Sequence, residues 1–204
     1  MRKLLALGIV LTVLLAVDQA ARLFAENKLE EKAQAEVRGA GEVEAGISSF
    51  PFLGRLLLSG SVSAVEVRAE RAGLSDLLSA AVEVDLYGVR LDRDDLFSGK
   101  VKLRGIDTGT ITVELDSTAL QRVLKLPVTV AGGEVRVTLA GRAVAARAAV
   151  DAGSLVLEVA GIRTMRVPIA RNGLVSCTAA DLEVTGGIIR LTCEVDEVPP
   201  ALRR

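Results

Sequence analysis

From Ser61 onward the chain alternates apolar and polar residues with a period of two, and this restricts the possible folds more than any other feature. Val65, Val67 and Ala69 alternate with Glu66, Arg68 and Glu70, and Val82, Val84 and Leu86 with Glu83, Asp85 and Tyr87. The pattern recurs at Ile111, Val113 and Leu115, at Val135, Val137 and Leu139, and at Ile189, Leu191, Cys193 and Val195. Each run has one apolar face and one wet face, as in an antiparallel sheet solvated on one side. Gly132-Gly133, Ala152-Gly153, Asn172-Gly173 and Gly186-Gly187 supply turn chemistry between the C-terminal runs. One helix interrupts the series, with Ser117 as N-cap for Thr118 to Lys125 and Leu120, Val123 and Leu124 on one side. A second short helix is expected around Leu74 to Leu78. The expected class is α+β, β-dominated, with a strongly curved antiparallel sheet wrapped on one or two helices.

Almost every inward position is Val, Leu, Ile or Ala, and the chain has only five aromatic residues, four Phe and one Tyr. Small branched side chains can close a core tightly or line a smooth apolar cavity, and the pattern is the same for both. The polar chemistry is easier to narrow. With no histidine, Ser-His-Asp and Cys-His arrangements cannot form, and the commonest metal ligand is missing. No Walker-type or dinucleotide glycine loop is present, so no cofactor is expected. Asp92, Asp94 and Asp95 cluster but lack calcium-loop spacing, so they read as a solvated turn and no metal site is expected. No pair of carboxylates is singled out for catalysis, so the chain is not read as an enzyme. A formal net charge of −1 argues against a nucleic-acid partner. Cys177 and Cys193 are candidates for a disulfide, if the chain is exported. A plain two-residue turn at Gly186-Gly187 would place Cys193 opposite Ala180 and not Cys177, so that bond needs a bulge or another pairing.

Arg2 and Lys3 precede an apolar run from Leu4 to Val17, the layout of an export signal. The run is shorter than the ~20 residues that cross a bilayer comfortably. Ala33-Gln34-Ala35 has the small-x-small cleavage pattern but lies far downstream, so an uncleaved anchor and atypical cleavage both stay open. Either places the remainder outside the cytoplasm. Residues 18–38 read as a helix, either a stalk or the first helix of the domain, with a thin stripe of Ala21, Phe24, Leu29 and Ala33 and an Arg22–Glu26 pair. Residues 39–198 form the β-rich domain, and 199–204 a short tail.

The passage FPFLGRLLLSG, from Phe50 to Gly60, joins these parts. Pro51 sets a rigid corner between Phe50 and Phe52. Leu53, Leu56 and Leu57 continue on one side if the segment turns helical, and Arg55 is its only charge. The two rings can be core plugs or an apolar lip. A basic-apolar leader, an Ala-rich helix, this motif and then an all-β remainder with one Leu-bearing helix together resemble the actinobacterial LmeA-like phospholipid-binding family. The resemblance covers roughly Ala25 to Val195.

The resemblance implies a fold similar to half of a tubular, BPI-like lipid-binding domain, with acyl chains held between helix and sheet. It implies non-enzymatic binding, transfer or presentation of a phospholipid, with phosphoinositides and other anionic lipids as candidates, and a link to envelope lipoglycan maturation. Expected partners are the phospholipid, a membrane surface and an envelope protein, on the periplasmic side of the cell envelope. Candidate lipid-contact residues are Phe50, Pro51, Phe52, Leu53, Arg55, Leu56, Leu57, Leu120, Val123 and Leu124, with Arg55 a headgroup contact. The rival expectation is an exported interaction module with a solid core and no lipid cavity.

Overall fold

The structure, a computed structural model, describes residues 2–36, 41–73, 79–92, 103–151, 154–159, 163–168 and 181–198. It opens with one continuous helix, α1 (Arg2–Glu36), followed by β1 (Val43–Ser48) and a short helix α2 (Phe52–Ser59). Next come β2 (Ser61–Gly73), β3 (Ser79–Leu91), β4 (Leu103–Gly105) and β5 (Thr108–Asp116), then helix α3 (Ser117–Leu124). Five strands follow: β6 (Val128–Ala131), β7 (Glu134–Leu139), β8 (Arg142–Asp151), β9 (Ser154–Val159) and β10 (Arg163–Pro168). The hairpin of β11 (Asp181–Thr185) and β12 (Ile188–Val195) comes last.

The class is α+β and β-dominated, but the single strongly curved sheet is replaced by two antiparallel sheets that are neither tightly curled nor closed. The first has the order β1-β2-β3-β5-β12-β11, with β4 also on β3. The second is a plain meander, β10-β9-β8-β7-β6. The division follows from α3. A helix directly after β5 breaks the ladder, and the five strands behind it, joined by short turns, pair with their nearest neighbours. The β11–β12 hairpin then returns to the first sheet, where β12 pairs Ile189 with Leu115 and Leu191 with Val113. The inward residues of both sheets nevertheless share one buried cluster.

The hairpin signals hold where they are described. Gly132-Gly133 and Gly186-Gly187 all adopt positive φ and close β6–β7 and β11–β12. The β7–β8 turn uses Ala140 and Gly141, both left-handed, an Ala-Gly pair like Ala152-Gly153 that the sequence reading passed over. The expected helix at Leu74–Leu78, the Asn172-Gly173 and Ala152-Gly153 turns, and Asp94 and Asp95 lie outside the described residues. Asp92 pairs with Arg104. The cap of α3 sits one residue earlier than expected. Asp116 Oδ1 accepts from Ala119 N at 2.6 Å, while Ser117 Oγ accepts from Val130 N at 3.0 Å and ties β6 to the helix. A carboxylate one residue upstream reaches the third amide of the helix, so the serine is released for the strand.

Helix α1 is in part a helix of the domain. Ala25, Leu29 and Ala33 are buried and Ala21 packs beside them, whereas Phe24 points to solvent. The expected Arg22–Glu26 pair forms at 3.5 Å. The helix lies along β1, the edge strand of the first sheet, and two of its carboxylates cover that edge. Glu26 Oε1 accepts from Ile47 N at 2.8 Å and Glu30 Oε1 from Ala45 N at 3.1 Å. The fit is geometric. Four helical residues rise about 6 Å, and two strand residues about 6.7 Å. Outward amides of an edge strand invite pairing with another chain, and here they are taken.

Candidate lipid-contact surfaces

Helix α2 carries the FPFL motif and begins in an unusual way. The Phe50–Pro51 bond is cis, and Pro51 occupies the N-cap position without a side chain able to cap. The missing acceptor comes from α1. The buried carboxylate of Asp18 accepts from Phe52 N at 3.0 Å and from Leu53 N at 2.7 Å. A charge beside the first amides of a helix also suits the helix dipole. At the other end Gly60 is left-handed and its N–H returns to Leu56 O, the usual glycine stop.

This start divides the motif. Phe52, 2% exposed, and Leu56, 3% exposed, point one turn apart into the core, and Leu53 is half-buried beside them. Phe50, Leu57 and Leu58 are 66%, 50% and 87% exposed. Pro51 is exposed too. Arg55 is exposed, and its guanidinium hydrogen-bonds the Ser63 hydroxyl. The passage is therefore both of the things its composition allowed: one ring plugs the core, and the other stands on a surface lip.

The candidates on α3 lie elsewhere. Helix α2 enters β2 at Ser61, opposite Arg90 of β3. Helix α3 leaves β5 after Asp116, beyond Glu114, which is opposite Ala81 of β3. Nine residues of β3 separate these positions, about 30 Å. The ten candidate residues thus form two groups at opposite ends of the first sheet. On α3 itself, Leu120 is fully buried while Val123 and Leu124 are half-buried.

Helix α3 contacts both edge strands of the second sheet, β6 and β10. An eight-residue helix is about 12 Å long and five strands span about 19 Å, so the helix reaches from one edge of this sheet toward the other. In the middle of the sheet, β8 turns Val144, Ala146, Ala148 and Val150 inward, and all four are only half-buried. Their neighbours across the ladder, Leu155, Leu157 and Val159 of β9, are fully covered. β11 approaches β8 and contributes the half-buried Leu182 and Val184. The result is a half-open aliphatic strip with small side chains at its centre. Sequence reasoning missed β8, because alanines on both faces remove the alternation that would reveal it.

Polar features lie outside this strip. A cleft of about 290 Å³ at the α3 end of the first sheet is lined by Glu70, Arg71, Glu114, Asp116 and Arg122 among others. On the wet face of the same sheet, carboxylate oxygens of Glu66, Glu83 and Asp85 lie within 4.8 Å of one another, and Arg68 bridges Glu66 and Glu83. Partial burial, then the charges of Glu83 and Glu66, push the Asp85 carboxyl above the ordinary Asp range. The folded chain therefore holds that proton more tightly than the unfolded chain. Stability from this group is present below the ordinary Asp range and is lost as pH rises through the raised value. Asp85→Asn should raise the thermal midpoint at neutral pH, with the gain fading in acid; a pH-independent difference between the two curves would contradict this origin.

Cys193 is buried and disulfide-bonded. Cys177, the other cysteine in the sequence, lies outside the described residues. The β11–β12 register runs from Thr185–Ile188 to Asp181–Thr192, as a two-residue turn requires.

A family model described as LmeA-like phospholipid-binding matches residues 16–200. The chain belongs to that family. The match begins two residues before Asp18, so it takes in the part of α1 that packs on the domain and leaves out most of the exposed apolar part. No curated protein and no solved structure matches the chain. Membership in the LmeA-like family makes lipid binding the general function, with phospholipid as the partner class.

Proposed function

We propose that this chain is a non-enzymatic phospholipid carrier or presenter of the cell envelope, held at the membrane by the apolar part of α1. The observation that supports the reading is the half-open strip of β8 and β11 in a chain of a phospholipid-binding family. Core-facing aliphatic side chains left half-covered suit an acyl chain, which gains about 0.8 kcal/mol for each CH₂ removed from water. Val123 and Leu124 of α3 flank the strip's sheet, and the headgroup stays in water. The lipid classes this reading assigns are phosphoinositides and other anionic phospholipids, as the family resemblance implies, and the envelope role it assigns is supply of lipid for lipoglycan maturation. A protein partner would receive the lipid or the loaded carrier. α1 is long and apolar enough to cross a membrane, which supports an extracytoplasmic domain tethered by its N-terminus or exported with it.

The test is native mass spectrometry of the full chain released from nanodiscs, with lipid analysis of the extract. A phospholipid bound at near one per chain is expected, and Ala148→Trp, which fills the strip, should lower occupancy while the circular dichroism spectrum is kept. A chain that stays lipid-free after exposure to anionic vesicles would overturn the reading in favour of an interaction module with a solid core.

A further inference from the structure

Within α1, the side chains described from Ala6 to Val17 are exposed all round, among them Leu7, Ile9, Val10, Leu11, Val13 and Leu14. A helix apolar on every side belongs in an apolar medium. The all-round exposure ends at Asp18, which is buried, while Leu23 and Phe24 stay exposed on one side beyond it. From Arg2 to Val17 the helix rises only about 24 Å, against a hydrocarbon thickness of about 30 Å. Because the part that is apolar all round is no longer than the bilayer core, the bilayer surface lies close to where that part ends. The protein surface at that point is defined by the Asp18 carboxylate, which is hydrogen-bonded to the first two amides of α2. What α2 and the residue leading into it present there is Leu57 and Leu58 of the helix and Phe50 just ahead of it, with Arg55 between them in sequence.

We infer that α2 is a second membrane contact: Phe50, Leu57 and Leu58 enter the interfacial layer of the leaflet that α1 leaves, and so fix the orientation of the domain. This rests on the reading of α1 as a membrane anchor. The first sheet then stands with its α2 end on the bilayer and its α3 end about 30 Å away, the rise of nine strand residues. The basic side chain of Arg55 falls at headgroup depth, where anionic lipids attract it.

The sequence contains no tryptophan, so one introduced residue reports a single position. Leu58→Trp, Phe50→Trp and, at the far end, the exposed Thr118→Trp would be made in the full chain and reconstituted in phosphatidylcholine–phosphatidylglycerol vesicles. The inference expects blue-shifted emission at positions 50 and 58, quenched several-fold more by lipids brominated near the headgroup than at position 118. Emission at 50 and 58 as wet and as unquenched as at 118 would overturn it. Two positions at this end of the sheet guard against one variant failing to fold. The outcome separates from the carrier reading: lipid occupancy with a wet α2 sinks only this inference, and a quenched α2 without bound lipid sinks only the carrier.

Discussion

Phe52→Ala is expected to cost about 3–5 kcal/mol, the usual result of emptying a buried aromatic site. At about 2–4 °C per kcal/mol for a chain of this size, the thermal midpoint should fall by roughly 10 °C or more. Phe52 is 2% exposed and belongs to the shared core, so the loss is one of fold and not of ligand. Phe50→Ala should move the midpoint little, because exposed substitutions usually stay within about 0.5 kcal/mol. Thermal unfolding of both variants in detergent checks the contrast. Equal shifts would mean that the two rings share one environment and that the division of the motif is wrong.

Asp18→Leu should be nearly as damaging, although it removes no core volume. Two amides of α2 would lose a charged acceptor, and each buried donor left unsatisfied costs about 1–3 kcal/mol. Asp18→Asn keeps one carbonyl acceptor and should fall between the native chain and Asp18→Leu. Hydrogen exchange gives the local readout: the Phe52 and Leu53 amides should lose protection in Asp18→Leu while Val113 in the central strand β5 keeps it. Unchanged protection at Phe52 and Leu53 would show that the carboxylate does not hold the helix. The same geometry bears on export. A cut after Ala35 would carry away Asp18, Glu26 and Glu30, and with them the cap of α2 and the cover of β1.

Much of the strand content could be read directly, because β2, β3, β5, β7 and β12 each set aliphatic residues against charged or hydroxyl ones. How the strands sort into two sheets could not. Period two says which way a side chain faces and nothing about which strand lies beside it, and the decisive pairing joins Leu115 to Ile189 across the whole second meander. The site shows the same split. FPFL marks a special element, yet what separates Phe52 from Phe50 is an aspartate 34 residues earlier, itself placed in sequence at the end of an apolar leader. The strip on β8 escaped because Ala145, Ala146, Ala148 and Ala149 offer no contrast between faces.

The late return of β12 has a consequence for how the molecule is made. As the chain emerges, β5 is complete long before its second neighbour exists, and its free edge must wait while six further strands, β6 to β11, are made. Such distant pairings form slowly, since a long loop must close before any contact rewards it. An unpaired edge of Ile111, Val113 and Leu115 is also a template for foreign strands during that wait. Arg190 meets Glu114 at 2.8 Å only once β12 has arrived. Completion of the first sheet thus reports that β12, the last of the described strands, is in place, and a chain interrupted before Ile188 would leave the seam open.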